Sequence, residues 1–210
     1  IDFGNDTATA STKGPLAAAG WGMGATGTRS FGYYAGGDPG GTGSTVSRID
    51  YSNDTAVAAA KGPLALNTAY ISATGNQSYG YWSGGVYAGS NQSTVQRLDY
   101  SSDTTNTSPK GNVNTAQYYK AGASNSDYGW YTGGSPSPAG TTVVDRIDYS
   151  NDTATATPKG NLSNGRYYLA GTGSDSYGYF IGGVDQAPQT SLIKKIDYSN
   201  HTATAAVKCP

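Results

Sequence analysis

A tandem repeat of about 49 residues constrains this chain more than any other feature of its sequence. The tripeptide Ile1-Asp2-Phe3 returns in related form at Ile49-Asp50-Tyr51, Leu98-Asp99-Tyr100, Ile147-Asp148-Tyr149 and Ile196-Asp197-Tyr198. Pairs of glycines keep the same step, at 36–37, 84–85, 133–134 and 182–183. Because two independent markers share one period, the sequence predicts a single repeat array. Its units are 1–48, 49–97, 98–146 and 147–195, and a partial unit follows at 196–210.

Each repeat is predicted to form four short β-strands. In the last unit, runs rich in aromatic and β-branched residues cover 166–170, 178–181, 192–198 and 202–207. Clusters of Gly, Asn, Ser and Pro separate these runs, and apolar residues do not recur at helical spacing. Two large residues precede each Gly-Gly pair: Tyr33-Tyr34, Tyr81-Trp82, Trp130-Tyr131 and Tyr179-Phe180. Since neighbours on a strand point to opposite faces, we expect both faces of each sheet to be covered, with Tyr33, Tyr81, Trp130 and Tyr179 buried between sheets.

The order of these features resembles the kelch repeat. A strand ending in Gly-Gly, a variable loop and a strand that runs into an Asp-Tyr turn all occur between Tyr179 and Tyr198, and the likeness covers nearly the whole chain. It implies an all-β, kelch-like β-propeller of four-stranded blades, with four blades and part of a fifth in this chain. The outer-strand tryptophan that is usual in kelch repeats is absent, and Thr-Ala runs such as 153–156 stand there instead. A β-solenoid is the alternative fold, although this repeat is long for a solenoid coil.

Composition limits the classes of partner. Hydrophobic residues make up 36% of the chain, and 31 glycines bring the apolar share to about half, which is normal for a globular protein. Charged residues are only 13% and the net charge is −1, so nucleic-acid binding has no electrostatic basis. No apolar run approaches the roughly 20 residues that a membrane-spanning helix needs, which argues against membrane insertion. The single cysteine, Cys209, cannot form a disulfide within the chain.

The sequence does not offer catalytic, cofactor-binding or metal-binding residues. His201 is the only histidine, so neither a Ser-His-Asp set nor a His/Cys metal site can be assembled. Some kelch-like propellers are copper oxidases, but the histidine pair of such a site is missing here. The Asp50–Asp54 segment has oxygen ligands at alternate positions, as calcium loops do, yet it is better explained as a hairpin turn. We therefore expect a non-enzymatic protein without a cofactor.

A basic residue recurs two positions before the Asp of each unit, as Arg48, Arg97, Arg146 and Lys195. These residues could form a ring of cations for an anionic ligand. They could also form a repeated ladder of ion pairs between strands, and the sequence favours the ladder.

Variation between repeats is concentrated in the loops after the Gly-Gly pairs, at 38–43, 86–92, 135–140 and 184–189. In a propeller these loops lie on one face, and variation on one face of a repeat array is typical of a binding surface. The candidate partner-binding residues are Asp38, Tyr87, Asn91, Ser135, Asp185 and Gln186. The alternative is that loops free of structural constraint drift in sequence.

These features favour a structural or adhesive module. The run from Arg48 to Thr55 and the run from Gly178 to Gly183 resemble repeats in structural proteins of phages, particularly marine ones. That likeness implies a virion appendage, such as a tail fibre or receptor-binding protein, located on the virion surface or outside the cell. Its expected partners are further blades or other copies of the chain, together with a cell-surface glycan or receptor. The alternatives are a bacterial secreted or cell-surface propeller, lectin-like or filament-forming, and an enzyme whose active residues lie outside these 210 residues.

Overall fold

The chain is all-β. A computed structural model describes residues 4, 7, 9–38, 43–135, 140–184 and 189–209, in which four four-stranded antiparallel sheets follow one another. Each sheet is an antiparallel meander, and in the second sheet a separate two-stranded hairpin is inserted between the second and third strands. The helical elements in these ranges are four three-residue 3₁₀ turns after the third strands, at Tyr51–Asn53, Tyr100–Ser102, Tyr149–Asn151 and Tyr198–Asn200.

The strands have the following bounds. Sheet 1 contains β1 (Trp21–Gly27), β2 (Phe31–Asp38), β3 (Val46–Asp50) and β4 (Ala59–Lys61). Sheet 2 contains β5 (Ser72–Gly75) and β6 (Tyr79–Ser83), then, after a hairpin of β7 (Val86–Tyr87) and β8 (Ser90–Asn91), β9 (Val95–Asp99) and β10 (Ser108–Pro109). Sheet 3 contains β11 (Tyr118–Ser124), β12 (Tyr128–Ser135), β13 (Val144–Asp148) and β14 (Thr157–Pro158). Sheet 4 contains β15 (Ala170–Gly173), β16 (Tyr177–Ile181), β17 (Ile193–Asp197) and β18 (Ala206–Cys209).

The sheets do not coincide with the sequence units. The Asp-Tyr marker lies inside the hairpin between the third and fourth strands, so each sheet extends past the marker. The segment 196–210 was expected to begin a fifth blade, but it supplies the end of β17, its 3₁₀ turn and β18 of sheet 4. Residues 9–20 form no strand and lie along sheet 1, where the Gly14 amide donates to the Asp54 carbonyl at 2.8 Å.

The first strands of neighbouring sheets lie side by side, β1 with β5, β5 with β11, and β11 with β15. Among the described strands, no comparable contact joins β15 to β1. A Cβ atom on Gly122 would lie 2.3 Å from the Ala73 carbonyl oxygen, so only glycine permits this approach. The prediction for this strand in the last repeat was wrong: 171–177 was expected to be a turn, but β15 covers Ala170–Gly173. Small residues that are typical of turns are needed here because the backbones pack directly against each other.

Apolar cores lie between the sheets, one at each junction. Tyr33 meets Trp82 at the first junction, Tyr81 meets Tyr131 at the second, and Trp130 meets Phe180 at the third. All six side chains are at most 1% exposed. The expected burial is thus confirmed for Tyr33, Tyr81 and Trp130. Tyr179 is only partly buried, because it lies on the outward face of sheet 4, and Tyr34 on the outward face of sheet 1 is partly buried as well.

A buried aspartate also joins the sheets at the first two junctions. Asp103 accepts Arg48 at 2.7 Å, Lys61 at 3.2 Å and the Tyr33 hydroxyl at 3.0 Å. Asp152 accepts Arg97 at 2.7 Å, Lys110 at 3.3 Å and the Tyr81 hydroxyl at 3.0 Å. These basic residues therefore form an ion-pair ladder that links sheets, and their partner is the Asp after the next 3₁₀ turn.

The Asp two positions after each basic residue has a different role. The Asp50 carboxylate accepts the Ser52 amide at 2.9 Å and the Ser52 hydroxyl at 2.6 Å, so it stabilises the 3₁₀ turn at Tyr51–Asn53. These hydrogen bonds lower the pKa of Asp50. The turn interpretation of this segment accounts for its oxygen atoms, because the carboxylate is engaged with its own backbone.

Candidate functional site

A backbone conformation that favours glycine recurs at the start of each sheet, within the first strand of sheets 1 and 3 and just before the first strand of sheets 2 and 4. Gly22, Tyr70, Tyr119 and Tyr168 hold the same repeat position and have φ values of 71°, 57°, 58° and 59°. The left-handed region costs a residue with a Cβ about 1–2 kcal/mol, and bulky residues there are rare. Hydrogen bonds between sheets hold this backbone, from the Tyr119 amide to the Tyr70 carbonyl at 3.3 Å and from the Tyr168 amide to the Tyr119 carbonyl at 3.2 Å. Such strained positions cluster at functional sites.

The three tyrosine rings at this position, together with Trp21, which precedes Gly22, form one row across the sheets, which we call the aromatic row: Trp21, Tyr70, Tyr119 and Tyr168. The ring centroids of Trp21 and Tyr70 are 5.0 Å apart, those of Tyr70 and Tyr119 are 4.5 Å apart, and those of Tyr119 and Tyr168 are 3.9 Å apart. Tyr118 flanks the row, with its ring 4.5 Å from that of Tyr119. Contacting rings at these distances stabilise one another, so the row is a continuous surface.

Solvent reaches the row at both ends. Trp21 is 57% exposed and Tyr168 is 55% exposed, while Tyr70 and Tyr119 are partly buried between them. Burial raises the pKa of Tyr119, and the neighbouring Tyr168 and Tyr70 raise it further, so the phenol is neutral at physiological pH. A large exposed apolar surface with polar edges is typical of an interaction site.

One buried cation lies beside the row. Lys120 holds the repeat position of Met23, Ile71 and Leu169, and its Nζ atom lies 3.4 Å from the Thr115 carbonyl oxygen. Burial lowers the pKa of Lys120 to about 8, and the charge of Asp145 opposes that shift. The third repeat is thus the one in which an ionisable residue, Lys120, replaces the apolar residue at this position.

Two open cavities border the row and share Tyr70. One has a volume of about 220 Å³ and is lined by Gly22, Met23, Tyr70, Ile71, Tyr119, Lys120, Tyr168 and Leu169. The other has a volume of about 330 Å³ and is lined by Gly37, Asn67, Ala69, Tyr70, Val86, Tyr87, Ala88 and Gly89. The row and its cavities therefore offer concave space with aromatic walls and few charges.

The variable loops begin at the same end of the sheets as the row. The residue after each Gly-Gly pair opposes the residue before the left-handed position: Trp21 with Asp38, Ala69 with Val86, Tyr118 with Ser135, and Tyr167 with Val184. The loops at 86–92 and the row contribute to one cavity through Tyr87 and Tyr70.

The six candidate residues from the sequence have different environments. Tyr87 is 46% exposed and lines the larger of the two cavities beside the row. Asn91 is partly buried and pairs with Val86 in the β7–β8 hairpin. Ser135 is only 4% exposed at the end of β12, so its side chain is not available at the surface. The side chain of Asp38, and Asp185 and Gln186 altogether, lie outside the described residues.

A larger and more polar cavity of about 530 Å³ lies at the opposite end of the sheets, among the turns that follow the first strands. Its polar groups bond one another from sheet to sheet: Asn76 Nδ2 donates to the Ser126 carbonyl at 3.1 Å, and Asn125 Nδ2 donates to the Asp175 carbonyl at 3.3 Å. Because these groups already have partners and the turns are unstrained by comparison, we favour the aromatic row as the functional site.

The pattern of residues 166–170 predicts a regular strand, so the left-handed tyrosines were not expected. One signal was available. Alignment of the repeats places Gly22 at the position of Tyr70, Tyr119 and Tyr168, and glycine favours this conformation.

Neither a metal cluster nor a membrane helix was found in the described part of the chain. Groups of three or more His, Cys, Asp or Glu side chains that could hold a metal ion do not occur there. None of the described helices is long and apolar enough to cross a membrane.

Comparison with known proteins gave no relative. No protein-family model matches the chain, and no curated protein matches it. The functional conclusion therefore depends on the geometry of the aromatic row.

Proposed function

We propose that this chain is a non-enzymatic adhesive module built from kelch-like β-propeller blades, and that it binds carbohydrate through the aromatic row. The blade interpretation is supported by the four antiparallel meanders, by the neighbouring first strands and by the cores between sheets. A unit that buries its apolar residues only against its neighbours is typical of a repeat array.

The observation that carries the proposal is a row of contacting rings, exposed at both ends, of which three lie on a strained backbone. A sugar ring has an apolar C–H face and a rim of hydroxyl groups. A tyrosine side chain matches both, because its ring is apolar and its hydroxyl both donates and accepts hydrogen bonds. Tyrosine also provides a large contact area at a low entropic cost. Among the described residues that line the cavity at the row, Lys120 is the one charged side chain and it is buried, so a neutral glycan suits this cavity better than a charged one.

We further propose that the module acts outside the cell, as part of a virion appendage such as a tail fibre or receptor-binding protein. The support is the phage-like repeat sequence together with the low charge of the chain, and this step is an analogy rather than a property of the site. A bacterial secreted or cell-surface propeller of lectin type would use the same aromatic row. If the chain binds surface polysaccharide purified from bacterial hosts, that result would support the first setting.

The test is titration of the purified chain with soluble neutral oligosaccharides, followed by calorimetry and by tryptophan fluorescence. Trp21 is the one exposed tryptophan, since Trp82 and Trp130 are fully buried, so a ligand on the row should change its emission. Tyr119→Gly and Tyr168→Gly remove rings while supplying the residue that Gly22 already provides at this position. Each should weaken binding at least about tenfold, a loss of about 1.4 kcal/mol.

The matched control is Tyr51→Ala, because Tyr51 is 50% exposed but lies at the opposite end of sheet 1. It should bind the oligosaccharide as the unmodified chain does. The glycine variants should keep their stability, since the lost ring contacts are offset by relief of backbone strain. Equal oligosaccharide affinity in the glycine variants and the control, or no binding of any tested glycan, would rule out the proposed site.

A further inference from the structure

The outward faces of sheets 1 and 4 carry matching halves of the junction that joins sheets inside the chain. At each internal junction an aromatic ring of the second strand stacks on the tyrosine that opens the next 3₁₀ turn. The centroid distances are 4.5 Å for Tyr33 and Tyr100, 4.6 Å for Tyr81 and Tyr149, and 3.6 Å for Trp130 and Tyr198, with interplanar angles of 17°, 8° and 3°. Ring stacking is thus a constant feature of how one sheet receives the next.

The two end faces each provide one half of this stack. Tyr179 of sheet 4 holds the repeat position of Tyr33, and Tyr51 of sheet 1 holds the repeat position of Tyr100. Tyr51 is 50% exposed and Tyr179 is only partly buried. In the described residues, neither ring stacks on an aromatic ring of another sheet.

The ion pairs of the junction divide in the same way. Asp54 of sheet 1 holds the repeat position of Asp103, but its side chain is 38% exposed and its ion pair is with Lys13 at 3.2 Å. Lys195 and Lys208 of sheet 4 hold the positions of Arg48 and Lys61, the two residues that bind Asp103. Both lysines line an open cavity of about 210 Å³, and neither forms an ion pair with a described residue. Sheet 4 therefore carries the cations, and sheet 1 carries the carboxylate.

We propose that the outward face of sheet 4 binds the outward face of sheet 1 of a second copy of this chain, in a head-to-tail contact. Tyr179 of one copy stacks on Tyr51 of the other, and Lys195 of the first copy pairs with Asp54 of the second. The contact is heterologous, because two different surfaces meet, and contacts of this kind build rings or open fibres. It does not involve the aromatic row, so it is independent of carbohydrate binding.

The arrangement also defines a competition at the junction. Lys13, which forms an ion pair with Asp54, holds the same repeat position as Lys208 of sheet 4. When the two faces meet, only one of the segments that carry Lys13 and Lys208 can lie beside Asp54, so the other segment must be released. Either lysine completes the pair of cations that surrounds the carboxylate at an internal junction.

A charge exchange between two variants tests the proposal. The mass of the unmodified chain in solution is measured by sedimentation over a range of concentrations, and oligomers are expected. In Asp54→Arg the receiving face becomes cationic, and in Lys195→Glu the opposing face becomes anionic. Each variant alone should associate at least about tenfold more weakly, because like charges now face each other. An equimolar mixture should recover the association, since Lys195 of the first variant meets Asp54 of the second and Glu meets Arg at the other contact.

Two further variants separate this surface from the rest of the molecule. Tyr51→Ala should weaken association, because it removes one ring of the intermolecular stack. Tyr168→Ala, on the aromatic row, should leave association unchanged. All the substituted side chains are at least partly exposed, so circular dichroism should show an unaltered β-fold. A monomeric unmodified chain, single variants that associate normally, or a mixture that fails to recover would each overturn the head-to-tail contact.

Discussion

Replacement of Asp152 by asparagine should measure how strongly the buried ion pairs hold the sheets together. The Asp152 side chain is 7% exposed and accepts three donors from sheet 2: Arg97 at 2.7 Å, Lys110 at 3.3 Å and the Tyr81 hydroxyl at 3.0 Å. Asp152→Asn removes the negative charge and leaves two partly buried cations without a counter-charge. Removing one partner of a buried pair costs about 3–5 kcal/mol. We expect about 3 kcal/mol, because Arg97 remains 25% exposed and can recover some hydration.

Asp54→Asn is the matched control. Asp54 has the same neighbours in sequence and follows an equivalent 3₁₀ turn, but among the described residues its one ion pair is with Lys13, and the Lys13 and Asp54 side chains are 50% and 38% exposed. In protein dilute enough that copies do not associate, an exposed pair contributes at most about 1 kcal/mol, so this variant should lose less than that. The Asp103 side chain is 9% exposed and accepts three donors, so Asp103→Asn should lose as much stability as Asp152→Asn.

The assay is urea unfolding followed by tryptophan fluorescence at two salt concentrations. A midpoint that falls for Asp152→Asn at an unchanged slope reports a loss of stability rather than a change in the unfolded state. High salt should abolish the small effect of Asp54→Asn and leave the large one, because buried pairs are screened much less. If both variants lose the same free energy, the aspartate acts through its turn, and the reasoning about the junction is refuted. Two unchanged midpoints would equally refute it.

Two more substitutions test single junctions. His201 stands where the other repeats have aspartate, and its ring Nδ1 atom lies 2.8 Å from the Tyr198 carbonyl oxygen. His201→Asp should offer Arg146 and Lys159 the carboxylate that Arg97 and Lys110 have, and should stabilise the chain by about 1–2 kcal/mol in urea unfolding. A loss of stability would show that the stacked Trp130 and Tyr198 leave the carboxylate no room. Lys120→Ile supplies the residue found at the equivalent position, Ile71. In the unmodified chain, burial lowers the pKa of Lys120 to about 8, so below pH 8 its folded state holds a charge that costs up to about 3 kcal/mol. The unmodified chain should therefore gain stability as pH rises from 8 toward 10, because the unfolded lysine still binds its proton in that range. The variant should be more stable than the unmodified chain at pH 7 and should lack that rise. If the stability of the two proteins changes with pH in the same way, the burial of the charge is contradicted.

The repeat pattern was sufficient to predict the β-class, the second and third strands of the last repeat, and the burial of the paired aromatics that lie between sheets. These features follow from local pattern, because large residues at neighbouring positions such as Tyr81 and Trp82 require cover on both faces of a strand. The basic ladder was predicted as a class of contact, but its partner was not. Arg97 and Asp152 are 55 residues apart, and no local rule indicates that the Asp of the next turn, rather than Asp99, receives the guanidinium.

The first strands and the aromatic row escaped prediction for one physical reason, which is the close approach of neighbouring backbones. Where β11 lies against β5, a residue such as Gly122 has no space for a Cβ atom, so the strand has the small residues that otherwise indicate a turn. The same approach places the backbone at the start of the strand in the left-handed region, where hydrogen bonds between sheets hold Tyr119 at a φ of 58°. A glycine would satisfy that backbone without strain, as Gly22 does in the first repeat. Three tyrosines at a position suited to glycine are costly to the fold and supply most of the aromatic row, and this is the physical argument for locating the function of the chain there.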